Sequence, residues 1–168
     1  LQRAATLYGY NGIVSYLDEN ANEIDAAEKI LREIKPKGMI FLGGSVANFK
    51  KGFANITVPS VLTTLVSGEL DLPNLSMVGV DGRAAAYAAV DCLIQQGHRK
   101  IAVLGGPVTS YPSVMRREGA QQAMQDAGIL FSDKLYGLSN YDFESAYHAV
   151  NSLLARRADF TALFAMSD

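Results

Sequence analysis

Hydrophobic positions along this 168-residue chain alternate between two rhythms, short continuous runs and stripes at helical spacing. Ile13–Leu17 is a short apolar run containing β-branched residues, a strand signal. Asn22 then suits a helix N-cap, with Glu23 and Asp25 placed where the helix dipole favours acids. Ile24, Ala27, Leu31 and Ile34 form a helical stripe, and Pro36 ends it. Gly38–Leu42 is a continuous apolar strand of the kind buried on both faces. Val58–Leu62 and Met77–Val80 are further strands, with a loop at Asp71–Asn74. Arg83–Gln96 reads as a helix with Tyr87, Val90, Leu93 and Ile94 on one face and Gly97 at its stop. Lys100–Leu104 is a strand, and Ser113–Ala127 a helix with Ala120, Ala123, Met124 and Ala127 inward, closed by Gly128. Asp142 caps a helix over Phe143–Arg156, with Ala146, Ala149, Val150, Leu153 and Leu154 inward, and Thr161–Ala165 is the last strand.

Strands alternating with helices predict a doubly wound α/β architecture with parallel sheets. Ligands in such sheets bind outside the carboxyl ends of the strands. Four strand ends here carry polar or glycine-rich residues: Gly43-Gly44-Ser45, Asp81-Gly82, Gly105-Gly106-Pro107 and Ser167-Asp168. Each has a plain explanation alone, as a tight turn or a helix cap. Together they predict a ligand cleft.

Composition narrows what that cleft does. Hydrophobic residues make up 49% and charged residues 19%, as in a globular domain with a sizeable core. The net charge of -2 gives no overall basic footprint for nucleic acid. Cys92 is the only cysteine, which excludes an internal disulfide, and its place in a helix predicts a buried, inert thiol. No apolar run approaches the ~20 residues of a membrane span. No phosphate-loop or dinucleotide fingerprint is present, His98 and His148 lack partners at metal-ligand spacing, and no nucleophile elbow appears. Neither a cofactor nor a metal is expected, and an enzyme is disfavoured. Asp81 and Asp168 suit acceptors for sugar hydroxyls better than an acid–base dyad. Arg116, near a helix start where the dipole disfavours a cation, is either a solvated arginine beside Arg117 or a donor fork for a hydroxyl pair or carboxylate. Tyr141 is either loop packing or an aromatic plate against a ring.

Val78-Gly79-Val80-Asp81, then Gly97-His98-Arg99-Lys100-Ile101-Ala102 and Gly105-Gly106-Pro107, strongly resembles the lactose/galactose repressor (LacI/GalR) family. So does Ser113-x-x-Arg116-x-x-Gly119 followed by Ala127-Gly128-Ile129, and so does the final Thr161–Asp168 segment. The resemblance runs through nearly the whole chain and is most specific from Met77 to Ile129. It implies a bacterial, cytoplasmic transcription regulator with a two-lobed effector domain of periplasmic-binding-protein-like fold, each lobe a parallel sheet flanked by helices and incomplete here. The DNA-binding headpiece, the first strand and the segment after Asp168 would lie outside this chain. Residues 1–97 would form part of the N-terminal lobe and 98–168 part of the C-terminal lobe, with Asp81 and Arg116 on opposite lobes. By resemblance, Asp81, Arg116, Tyr141 and Asp168 bind a small-molecule effector, a sugar or related metabolite. Partners implied are operator DNA, through the headpiece, and a second copy in a homodimer, with no membrane. Gly82 and Ser167 depart from the asparagines common in the family. The rival class is a periplasmic sugar-binding protein for transport or chemotaxis, which a signal peptide rather than a helix-turn-helix ahead of Leu1 would indicate.

Overall fold

A computed structural model describes residues 1–18, 21–65, 67–156 and 159–167. Helix α1 (Gln2–Leu7) has no buried residue. Helix α2 (Glu23–Ile34) starts as its sequence dictates: the Asn22 side chain accepts hydrogen bonds from the Ile24 and Asp25 amides at 2.9 and 3.4 Å. It leads into β1 (Met39–Leu42), α3 (Val46–Gly52), a single 3-10 turn at Phe53–Asn55, β2 (Ser60–Thr63) and β3 (Leu75–Val78). The three strands form a parallel sheet in the order β1-β2-β3, with Met39 opposite Ser60 and Ser60 opposite Leu75. Helices α2 and α3 cover one face. Their Ile24, Ala27 and Phe49 meet Phe53, Ile56 and Leu62 in a core. The Phe49 ring packs edge-on to Phe41 at 5.0 Å and stacks on Phe53 at 5.5 Å. The alternate residues Ile40, Leu42 and Val78 are exposed.

The second unit holds α4 (Gly82–Gln95), β4 (Ile101–Gly105), α5 (Tyr111–Asp126), β5 (Tyr136–Leu138), α6 (Phe143–Ala155) and β6 (Ala162–Ala165). Its parallel sheet runs β5-β4-β6. The chain leaves β4 through α5 to pair β5 on one side, then returns through α6 to pair β6 on the other. The end of β4 is therefore a topological switch point, where the loops separate and leave a crevice. Helices α4 and α5 share one core with the sheet, built on Val90, Ile94, Ala120, Ala123 and Met124 over Ile101 and Val103. Across the sheet, α6 sets Leu153 and Ala149 against Gly137. The α4–α5 contact is close: a Cβ at Gly119 would lie 2.1 Å from the Arg83 carbonyl oxygen.

Six expectations change. The strand at 38–42 is not buried on both faces, since Met39 and Phe41 pack on the core while Ile40 and Leu42 face away and are exposed. The apolar run at 13–17 forms no strand. Ile13, Val14 and Tyr16 are exposed, and none of the described residues supplies the hydrogen-bonding neighbour that a strand requires. The third strand lies two residues early, because Leu75 to Val78 are what pair with β2. Cys92 is exposed, not buried, since it lies on the side of α4 away from Val90 and Ile94. Leu154 is 58% exposed, because only Leu153 of that pair points at the sheet. Finally, α4 does not close the first unit. Its Val90 and Ile94 belong to the second core, so packing places the division in the segment before Gly82 rather than at Gly97-His98.

Candidate functional site at the end of the central strand

Gly105 ends β4 with its carbonyl held from the β5 side, where the Ser139 amide and hydroxyl both donate to it at 2.8 Å. On the β6 side, the Met166 amide donates to the Leu104 carbonyl at 3.0 Å. Arg116 reaches the same place from α5 and donates through a terminal guanidinium nitrogen to the Met166 carbonyl. Loops after all three strands are thus tied together around the Gly105-Gly106 pair.

Tyr141 lies across that pair. Its backbone is in the left-handed region at φ +63, a conformation that costs a non-glycine residue energy and is held here by its neighbours. The Asn140 amide donates to the Ser145 hydroxyl at 2.9 Å, and the Ser145 amide donates to the Asp142 carboxylate at 2.8 Å. The Ser145 hydroxyl donates to the other Asp142 oxygen at 2.6 Å. Those bonds from Ser145 hold the Asp142 carboxyl below the usual carboxylate range. Between these anchors the Tyr141 ring crosses Gly106 so closely that a Cβ there would lie 2.0 Å from its Cζ. Glycine at 106 is required by that approach, and the ring remains 39% exposed.

Asp81 caps α4, its Oδ1 accepting from the Arg83 and Ala84 amides at 3.0 Å each. It stands at the head of α4, the helix whose Arg83 carbonyl packs against Gly119 of α5, so Asp81 and Arg116 lie on two helices in contact with each other. The Arg116 stem passes Gly82, where a Cβ would come within 3.4 Å of its Cγ. That is ordinary van der Waals contact, so a side chain at position 82 would pack against the Arg116 stem. Asp168 lies outside the described residues. The structure therefore brings Asp81, Arg116 and Tyr141 to the same end of the second sheet.

Tyr136 and Arg117 also reach this end, and the sequence alone does not single out either for ligand contact. The strand carrying Tyr136 is three residues long, too short for any periodic signal. A surface hollow of about 610 Å³ lies at the opposite end of β4, lined by Arg99, Ile101, Met124, Ile129 and Leu135. Its charged lining residues are the cations Arg99 and Lys100, with no carboxylate or aromatic ring beside them, so chemistry favours the strand ends. No group of three or more histidine, cysteine or acidic residues among the described residues is placed to hold a metal. Among the described residues, no helix is long and apolar enough to cross a membrane.

Comparison with known proteins bears on this geometry. The family described as periplasmic binding proteins and sugar binding domain of the LacI family matches residues 1–168. The transcriptional regulator MalR of Clostridium butyricum is 32% identical over 163 residues, which is 95% of this chain and 49% of MalR. Catabolite control protein A of Priestia megaterium is 28% identical, covering 100% of this chain and 50% of that protein. The chain spans about half the length of these relatives. The transcription regulator CcpA of Lactococcus lactis superposes with a TM-score of 0.79 at 26% identity, over 96% of this chain and 58% of that one. A complex of the regulator CelR with cellobiose shares the fold, with a TM-score of 0.80 at 24% identity, over 98% of this chain and 50% of CelR.

Proposed function

Since the chain belongs to the family of periplasmic binding proteins and LacI-type sugar binding domains, we propose that it is the effector-sensing part of a transcription regulator. The observation that carries this reading is the convergence of Arg116 and Tyr141 on the switch point at Gly105-Gly106, with Asp81 heading the helix whose Gly82 lies beside the Arg116 stem. The Arg116 guanidinium offers a planar set of donors to a hydroxyl pair. Tyr141 offers a ring face to the apolar side of a sugar. Asp81 and Asp168 are the proposed acceptors. The effector is a sugar or a related metabolite, in keeping with the cellobiose complex of CelR. Operator DNA is bound through a headpiece outside this chain, and the protein acts as a cytoplasmic homodimer. Residues before Gly82 and residues from Gly82 onward belong to two lobes that close on the effector.

Switching depends on the bond between Arg116 and the Met166 carbonyl. An effector oxygen that takes the same donor competes with the β6 loop. The effector shifts the open–closed equilibrium only by its differential affinity for the two forms. The test is calorimetry with cellobiose, maltose, galactose and ribose on wild type and Arg116→Ala. We expect binding of one sugar by wild type and a loss of at least about tenfold in the variant, with an unchanged circular dichroism spectrum. Equal affinity in the two proteins sinks the assignment of Arg116.

A further inference from the structure

Tyr136 pairs with Val103 in β5, and its side chain runs along the sheet toward the strand ends. A Cβ at Gly105 would lie 2.0 Å from its hydroxyl oxygen and 2.5 Å from Cζ, so the phenol occupies the space that glycine leaves open. Arg117 lies over the ring. Its guanidinium carbon is 4.7 Å from the Tyr136 centroid and 5.5 Å from that of Phe131, and the two rings are 5.8 Å apart. The Arg117 Nε is buried with no hydrogen-bond partner among the described residues, while a terminal nitrogen stands 3.5 Å from Asp133. Two aromatic faces therefore grip this cation where a hydrogen bond does not. Burial pushes the Tyr136 phenol up, the Arg117 charge opposes that, and the Tyr141 phenol adds to it. The two phenols share one neighbourhood, over adjacent glycines.

We infer that the Tyr136 hydroxyl is a specificity-determining group of the effector site, and that Arg117 is its positioning residue. The inference rests on the effector-site reading of Arg116, Tyr141 and Asp81. A phenol donates one hydrogen bond and accepts others, which matches a sugar hydroxyl. Its fixed place over Gly105 puts it beside the Tyr141 ring and on the same strand end that Arg116 approaches. The ligand class is a neutral polyhydroxylated ring with one hydroxyl directed at Gly105. A site built to hydrogen-bond one hydroxyl rejects the analogue that lacks it.

The experiment uses the same four sugars, then the monodeoxy analogues of whichever binds, on wild type, Tyr136→Phe, Arg117→Ala, their double variant and Tyr141→Ala. We expect Tyr136→Phe to weaken the parent sugar about tenfold and to leave one deoxy analogue unchanged. Arg117→Ala should cause a similar loss, with no further loss when added to Tyr136→Phe. A merely structural role for Arg117 would weaken every analogue and would still act in the double variant, which overturns its assignment. Parent binding undiminished in Tyr136→Phe overturns the assignment of Tyr136. If Tyr141→Ala still abolishes binding in that case, the effector-site reading stands without it. Absence of binding by wild type to all four sugars removes the effector-site reading and this inference together.

Discussion

Gly119 sits where α5 touches α4, with no room for a side chain against the Arg83 carbonyl. Adding a methyl group must push two helices apart or break their register. Gly119→Ala should therefore destabilise the protein by about 1–3 kcal/mol, read as a lower midpoint in urea denaturation, despite alanine's better helix propensity. An unchanged midpoint would mean that the helix contact yields to a methyl group without cost. Asp81→Ala should cost about 1 kcal/mol by removing the N-cap of α4, measurable by thermal unfolding without ligand. Three of the residues at this end were legible in the chain: Arg116 by its charge near a helix start and its place in Ser113-x-x-Arg116-x-x-Gly119, and Asp81 and Tyr141 by the family resemblance. Tyr136 was not. Its place over Gly105 depends on which strand pairs with β4 and in what register, which no local pattern encodes.

At the scale of elements, α6 depends on the ring of bonds between Asp142 and Ser145, and that ring also fixes Tyr141. The Asp142 carboxyl is held below its ordinary value, so its contribution to stability is complete above the usual carboxylate range. It is lost as pH falls through the lowered folded value. Asp142→Asn keeps an uncharged acceptor. The thermal midpoint of wild type should therefore exceed that of Asp142→Asn at pH 6, and the gap should narrow as pH drops below about 4. A constant gap from pH 6 to pH 2 would mean the charge plays no part in the cap. Helices α2, α4 and α6, each with a side-chain cap, were legible in the sequence, and so was α5 from its inward Ala120, Ala123 and Met124. Helix α3 was not, since its seven residues bury only Phe49 and present no repeating stripe. The run at 13–17 had the composition of a strand and became none. Strand formation depends on a hydrogen-bonding partner as well as on side chains.

For the molecule as a whole, two cores are built on separate sheets, one around Phe49 and one around Val90. Phe49→Ala, which removes a fully buried ring, should cost about 3–5 kcal/mol. Native-state hydrogen exchange should show the loss at β1 to β3 while β4 to β6 keep their protection. A uniform loss would make the two units one cooperative body. The alternation of apolar runs and amphipathic stripes determined the fold class, because burial forces strands and helices into layers whatever their order in space. It also determined which strand ends would carry polar chemistry. Tertiary structure alone decided that α4 belongs with the second sheet, that β4 lies between β5 and β6, and that Arg116 meets Met166. These are choices among neighbours far apart along the chain, and each rests on packing and hydrogen bonds that exist only once the neighbours are together.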